Sequence, residues 1–338
     1  MSHDNRMASN LFLSGAAAVI IIAGIKSAAD MLVPFLLATF IAVLSTPLMR
    51  WLTRRHIPDV AAVLILVIGL LVVGVGLATF LGGTLNAFYQ DIPLYETKLQ
   101  ALMSSTISWV QGFGLDIPNN ILQDAINPGV VMGTVTRVFN GLGSVLTNTF
   151  LILFTVVFIL LEASGMPDKL KQAFGEQTTA LEHFERFSDL VQRYLAIKTL
   201  MSLGTGTTIG IILWVIGVDY APVWALIAFL LNYIPNIGSI IAAVPAVLVA
   251  LIQIGPAAAL ATGISYIVVN TLFGNVIEPR MMGRTLGLST LVVFLSLVFW
   301  GWILGPVGML LSIPLTMVVK IALETNPQSR WLATLLDH

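Results

Sequence analysis

Apolar residues gather into eight stretches along the chain: Leu11–Ile25, Met31–Met49, Val60–Leu81, Leu142–Leu161, Leu195–Val218, Ala221–Ile252, Ala257–Ile277 and Leu288–Lys320. A helix needs about 20 residues to cross the ~30 Å hydrocarbon core of a bilayer, and most of these stretches reach that length. In lipid a helix satisfies its own backbone polar groups, whereas an open sheet edge cannot. The pattern therefore predicts an all-α polytopic membrane protein. The first stretch resembles a signal peptide in length, with Ser27-Ala28-Ala29 as a cleavage-like site. A second apolar run follows directly, so the first reads as a retained membrane helix.

Two polar segments interrupt the series. Gly82–Gly141 carries Pro93, Pro118 and Pro128, with Leu99, Leu102, Met103, Trp109 and Val110 at helical spacing. That spacing predicts short amphipathic helices on the membrane surface. Ala163–Lys198 has a stripe of Leu170, Phe174, Leu181, Phe184, Leu190 and Val191, and predicts one amphipathic helix leading into the next span. The expected organisation is N-terminal spans at 1–81, an extracytoplasmic amphipathic segment at 82–141 and a span at 142–162. A cytoplasmic amphipathic helix at 163–194, two repeat units at 195–256 and 257–324, and a cytoplasmic tail at 325–338 follow.

Positive residues orient the chain. Cytoplasmic loops are enriched in Lys and Arg, and Arg50, Arg54 and Arg55 share one loop, which places both termini in the cytoplasm. If Ala221–Ile252 crossed once, Arg280 and Arg284 would lie outside. That stretch is interrupted at Asn232-Tyr233-Ile234-Pro235-Asn236-Ile237-Gly238, where proline removes a backbone donor and glycine weakens the helix. A re-entrant hairpin returns the chain to the same side and leaves only Lys26, Lys98 and Arg137 outside. Leu288–Lys320 is broken in the same way, at Gly301-Trp302-Ile303-Leu304-Gly305-Pro306-Val307-Gly308. A shift of 70 residues lays the first break on the second, so that Gly238 falls on Gly308. The expected architecture is about five to six full transmembrane helices plus two interrupted helical hairpins in an inverted repeat, a recurrent plan of secondary transporters.

Composition narrows the function. Hydrophobic residues make up 57% of the 338, charged residues 10%, and mean hydropathy is +0.94; soluble domains carry about 25% charged residues. With a net charge of −1 and no basic tract, a soluble enzyme, a disordered chain and a nucleic-acid binder are excluded. There is no cysteine, and His3, His56, His183 and His338 all lie outside the apolar runs. No HExxH, GxSxG or P-loop motif is present, so no catalytic residue, metal site or cofactor is expected. Glu182-His183-Phe184-Glu185 reads as a solvated helix face.

Polar groups at membrane depth are costly and usually face a cavity or a partner. The candidate substrate-binding residues are Asn232, Pro235, Asn236, Gly238 and Ser239 at the first break, with Asn270 and Asn275 on the intervening span. Asparagines and freed backbone groups suit a small, neutral, polar solute. Glu278, Arg280 and Arg284 are candidates for gating or coupling at a helix end, with a structural clasp between helix and loop as the other reading, and Gly305, Pro306 and Gly308 form the second hairpin tip. No carboxylate lies in the middle of an apolar run, which disfavours a relay through a buried acid. Gly206-x-x-x-Gly210, Gly283-x-x-x-Gly287 and Gly301-x-x-x-Gly305 allow close helix packing.

The motifs Asn232–Gly238 and Gly274–Arg284, continued through Leu286–Phe294 to Gly305–Leu315, resemble the autoinducer-2 exporter (AI-2E) family of bacterial inner-membrane transporters. The resemblance implies export of the quorum-sensing signal autoinducer-2, and assembly as a homo-oligomer with a pentamer among the options. Some family members resemble sodium or lithium/proton antiporters, so a cation is the alternative solute. A passive channel or membrane scaffold is the reading from a different class.

Overall fold

The computed structural model describes residues 15–17, 19–111, 133, 149–174, 179–235, 237–282, 288–325 and 330–336. Every regular element among them is helical. The chain is an all-α, multi-pass membrane protein: five helical runs are long and apolar enough to cross, at Ala29–Thr53, Asp59–Leu102, Ser188–Ile216, Pro256–Met282 and Thr290–Leu310.

Helix α1 (Ala29–Thr53) precedes α2 (Asp59–Gln111), a single helix of 53 residues. The short surface helices expected after residue 81 are therefore replaced, up to Gln111, by the continuation of one rod. Leu81, Phe88, Tyr95 and Leu99 are buried on one face, with Ile92 packed beside them. This spacing of sevens, threes and fours is a helical stripe, and its burial outweighs the weakening by Gly82, Gly83 and Pro93. Helix α3 (Thr149–Phe174) runs unbroken past residue 162, so 163–174 continues the preceding helix. Helix α4 (Thr179–Ile216) joins the amphipathic segment to the following span without interruption.

Two compact units partition the chain. In the unit formed by 68–150 and 194–283, α5 (Ala221–Leu231) and α6 (Ile237–Gln253) flank the first break. Without water between helices, association in lipid rests on close van der Waals packing. Gly206 and Gly210 provide it: a Cβ at Gly206 would stand 2.7 Å from the Ala225 carbonyl, and one at Gly210 would stand 2.7 Å from Ala225 Cβ. The first GxxxG pattern thus packs α4 on α5, while Gly283-x-x-x-Gly287 lies outside the described residues.

The two ends of the α5–α6 hairpin meet. Gln253 Oε1 accepts from the Asp219 backbone N–H at 2.8 Å, and Gln253 Nε2 donates to the Gly217 carbonyl at 3.1 Å. The segment accordingly leaves and returns at one end of its unit. Tyr95 donates to Asp219 at 2.9 Å, Tyr220 donates to Asp91, and Lys98 donates to the Gln253 carbonyl at 3.4 Å, so α2 clasps the same end. Burial, and next the hydrogen bond to Asp91, push the Tyr220 phenol in this loop above its ordinary pKa, which keeps it a donor. Beyond Gly255, α7 (Pro256–Asn270) passes into a π-helical turn at Thr271–Ile277 and then into α8 (Glu278–Met282).

The other unit comprises 1–67, 151–193 and 284–338. Its helix α9 (Thr290–Leu310) is broken inside at Gly305, with φ 68 and ψ −152, a conformation open essentially to glycine alone. The reading of Gly301-x-x-x-Gly305 as a packing face is thus corrected at Gly305, which is the break itself. Helix α10 (Ser312–Thr325) folds back on α9: Trp300 Nε1 donates to Thr316 Oγ1 at 3.0 Å. The Ser289 N–H meets the Leu336 carbonyl at 3.2 Å, beside the last helix, α11 (Arg330–Leu335). The two breaks share a local detail. A Cβ at Gly238 would collide with the Leu231 carbonyl and one at Gly308 with the Trp300 carbonyl, each within one hairpin turn.

Candidate functional site

The residues that end α5 bind the side of α4. Asn232 Nδ2 donates to Ser202 Oγ at 3.0 Å, and Tyr233 Oη donates to Thr199 Oγ1 at 2.7 Å. Lys198, one position before Thr199, reaches across to Glu278, with Nζ 2.9 Å from Oε1 and 3.0 Å from Oε2. Lys198, Thr199 and Ser202 thus form a polar stripe at helical spacing on this span. The side chains of the ion pair are 7% and 15% exposed.

Lys198, Asn232 and Glu278 line a cavity of about 620 Å³ between the first break, α6 and α7. Of the residues expected to bind solute, Asn232, Pro235, Ser239, Asn270 and Asn275 line it together. Asn236 lies outside the described residues. Gly238 is buried in the first turn of α6, where it sets the close return of the chain rather than a wall of the cavity. Glu278 lines the cavity beside Lys198, while Arg280 is exposed on α8 and Arg284 lies outside the described residues. Gly305, Pro306 and Gly308 form the break in α9, with Gly308 buried.

Two features were missed in the sequence. Lys198 reads there as one more cytoplasmic positive charge, although its spacing from Thr199 and Ser202 marks a shared face. Glu278 was expected at a helix end, and it opens α8, four residues before the run Pro256–Met282 stops; its pairing with Lys198 is the part the sequence did not show. The π-turn has no clear signature in sequence, and such turns occur often at functional sites. Chemically, the cavity offers amide, hydroxyl and carboxylate groups at one end against an apolar wall, which suits recognition and transfer more than bond making. Among the described residues no group of three or more His, Cys, Asp or Glu is placed to hold a metal ion.

The family model of AI-2E family transporters matches residues 16–328. The chain belongs to this family. Three relatives align along nearly their whole length with the AI-2E chain described above. The AI-2 transport protein TqsA of Escherichia coli K12 is 43% identical over 94% of this chain and 93% of its own. A protein of Haemophilus influenzae, named as a transport protein only provisionally, is 42% identical over 95% and 94%. YhhT of Escherichia coli K12, also provisionally named a transport protein, is 40% identical over 97% and 94%. As a member of this family the protein belongs with membrane transporters.

Proposed function

We propose that this transporter exports a small, neutral, hydroxyl-bearing signal of the autoinducer-2 kind across the bacterial inner membrane by alternating access. The observation that carries the reading is the cavity at the first break, where Asn232, Ser239, Asn270 and the Lys198–Glu278 pair meet one solute-sized space. Amide and hydroxyl groups recognise an uncharged polyol by hydrogen bonds, and the paired charges leave the site without net charge. The relative named for AI-2 transport supports the choice of solute. Broken helices at membrane depth, one in each unit, support the mechanism, because such breaks line the substrate sites of inverted-repeat carriers. The positive residues support cytoplasmic termini.

Flux of labelled autoinducer-2 in proteoliposomes tests the reading. Wild-type vesicles accumulate the label, and Asn232→Ala and Ser239→Ala vesicles accumulate at least several-fold less. Equal accumulation in protein-free vesicles overturns it. One observation favours a second reading, cation/proton antiport: the cavity contains a carboxylate, Glu278. Sodium-evoked proton movement in the same vesicles, abolished by Glu278→Gln, would select that alternative.

A further inference from the structure

The cavity is not uniform along its length. Most of its polar groups gather toward one end, around Lys198, Asn232, Asn270 and Glu278, while the buried Tyr266 lines it farther along α7. Away from that end the wall is mainly apolar, with Ile240, Val244 and Val247 of α6 facing Ile267, Tyr266 and Gly263 of α7. The register is set at Gly263, where an added Cβ would lie 3.8 Å from Val247 Cγ2. Helix α6 and helix α7 are joined through Gly255 and run side by side, so Val247 and Gly263 mark the apolar end and Pro235 and Glu278 the polar one. Between Ser239 and Leu248 the apolar wall extends about 13 Å at the helical rise per residue. Gly263 contributes no side chain and leaves room at that end. A volume of about 620 Å³ lies among pockets that enclose drug-sized ligands, about 300–1,000 Å³. It is more than a compact polar signal needs.

We infer that the site takes amphipathic solutes, with an uncharged hydroxylated head at the Lys198–Glu278 end and a short aliphatic tail along the α6–α7 groove. The inference rests on the reading of this cavity as the solute site, and it widens the substrate class from a small polar signal to hydroxylated amphiphiles. Burying a tail there removes apolar surface from water, whereas the polar end alone rewards only the head.

Equilibrium binding of labelled 1-O-alkylglycerols to the full chain in lipid nanodiscs, with empty nanodiscs subtracted, tests this. The methyl, butyl and hexyl ethers share one uncharged diol head. Affinity is expected to rise about fourfold per added methylene, the factor for burying each group. Ile267→Trp and Val244→Trp, both at exposed positions, are expected to remove that gain while leaving the methyl ether bound. Asn232→Ala is expected to weaken all three ethers equally. A flat dependence on chain length overturns the inference, as does a gain that survives in both tryptophan variants, which would reflect partition into the bilayer. Loss of autoinducer-2 flux with the chain-length gain intact would count against the proposed signal and not against the amphipathic site.

Discussion

Lys198 and Glu278 stand 80 residues apart in the chain, and the ammonium of one lies 2.9 and 3.0 Å from the two carboxylate oxygens of the other. Neither side chain has enough water around it to carry its charge alone. A buried pair contributes little net stability, because desolvation offsets the attraction, but removing one partner strands the other.

Lys198→Met and Glu278→Gln are therefore expected to destabilise the protein by about 3–5 kcal/mol each, and the double variant by much less than their sum. Thermal unfolding in nanodiscs measures all three. Additive losses would show that the two charges do not depend on each other.

Gly238→Ala is expected to cost about 1–3 kcal/mol, since its Cβ meets the Leu231 carbonyl and the backbone must shift. Gly305→Ala is expected to lose a similar amount, by strain at φ 68. Gly74→Ala on α2 serves as the comparison, because a Cβ there meets nothing within 4 Å. Its melting temperature is expected to stay level or rise.

Gln253→Leu deletes both side-chain bonds that tie the start of the first hairpin to its end. A loss of about 2 kcal/mol is expected, at about 1 kcal/mol per bond. Amide hydrogen exchange in 217–224 should quicken, while exchange in α1 stays unchanged.

Cysteine labelling checks the side of the membrane, and the chain contains no cysteine of its own. Asp219→Cys and Gln253→Cys are expected to react with an impermeant maleimide added outside intact cells, and Arg280→Cys only after permeabilisation. Reaction of position 280 from outside would reverse the expected orientation.

The apolar stretches made the helices legible, and the positive residues together with Pro235 and Gly305 made both interruptions legible. These signals are local. The length of α2 was hidden, because Gly82, Gly83 and Pro93 look like the start of a loop until the burial of Phe88 and Tyr95 is known. The asparagines of the site were visible as polar residues in apolar runs. Lys198 was not, because a charge near the end of a predicted span looks like an interfacial anchor. Its role depends on Glu278, a residue of another helix, and pairwise proximity across 80 residues leaves no trace in one sequence.

The clasp at Gln253 has one more consequence, which concerns parity. A segment whose two ends are tied together contributes no net passage from one face of the bilayer to the other. Between Lys198 and Glu278 the chain then makes only two passages, one along α4 and one back along α7. An even number returns a chain to the face it left. If the α5–α6 segment went through, the count would become odd, and the lysine and the glutamate would finish on opposite faces, beyond each other's reach.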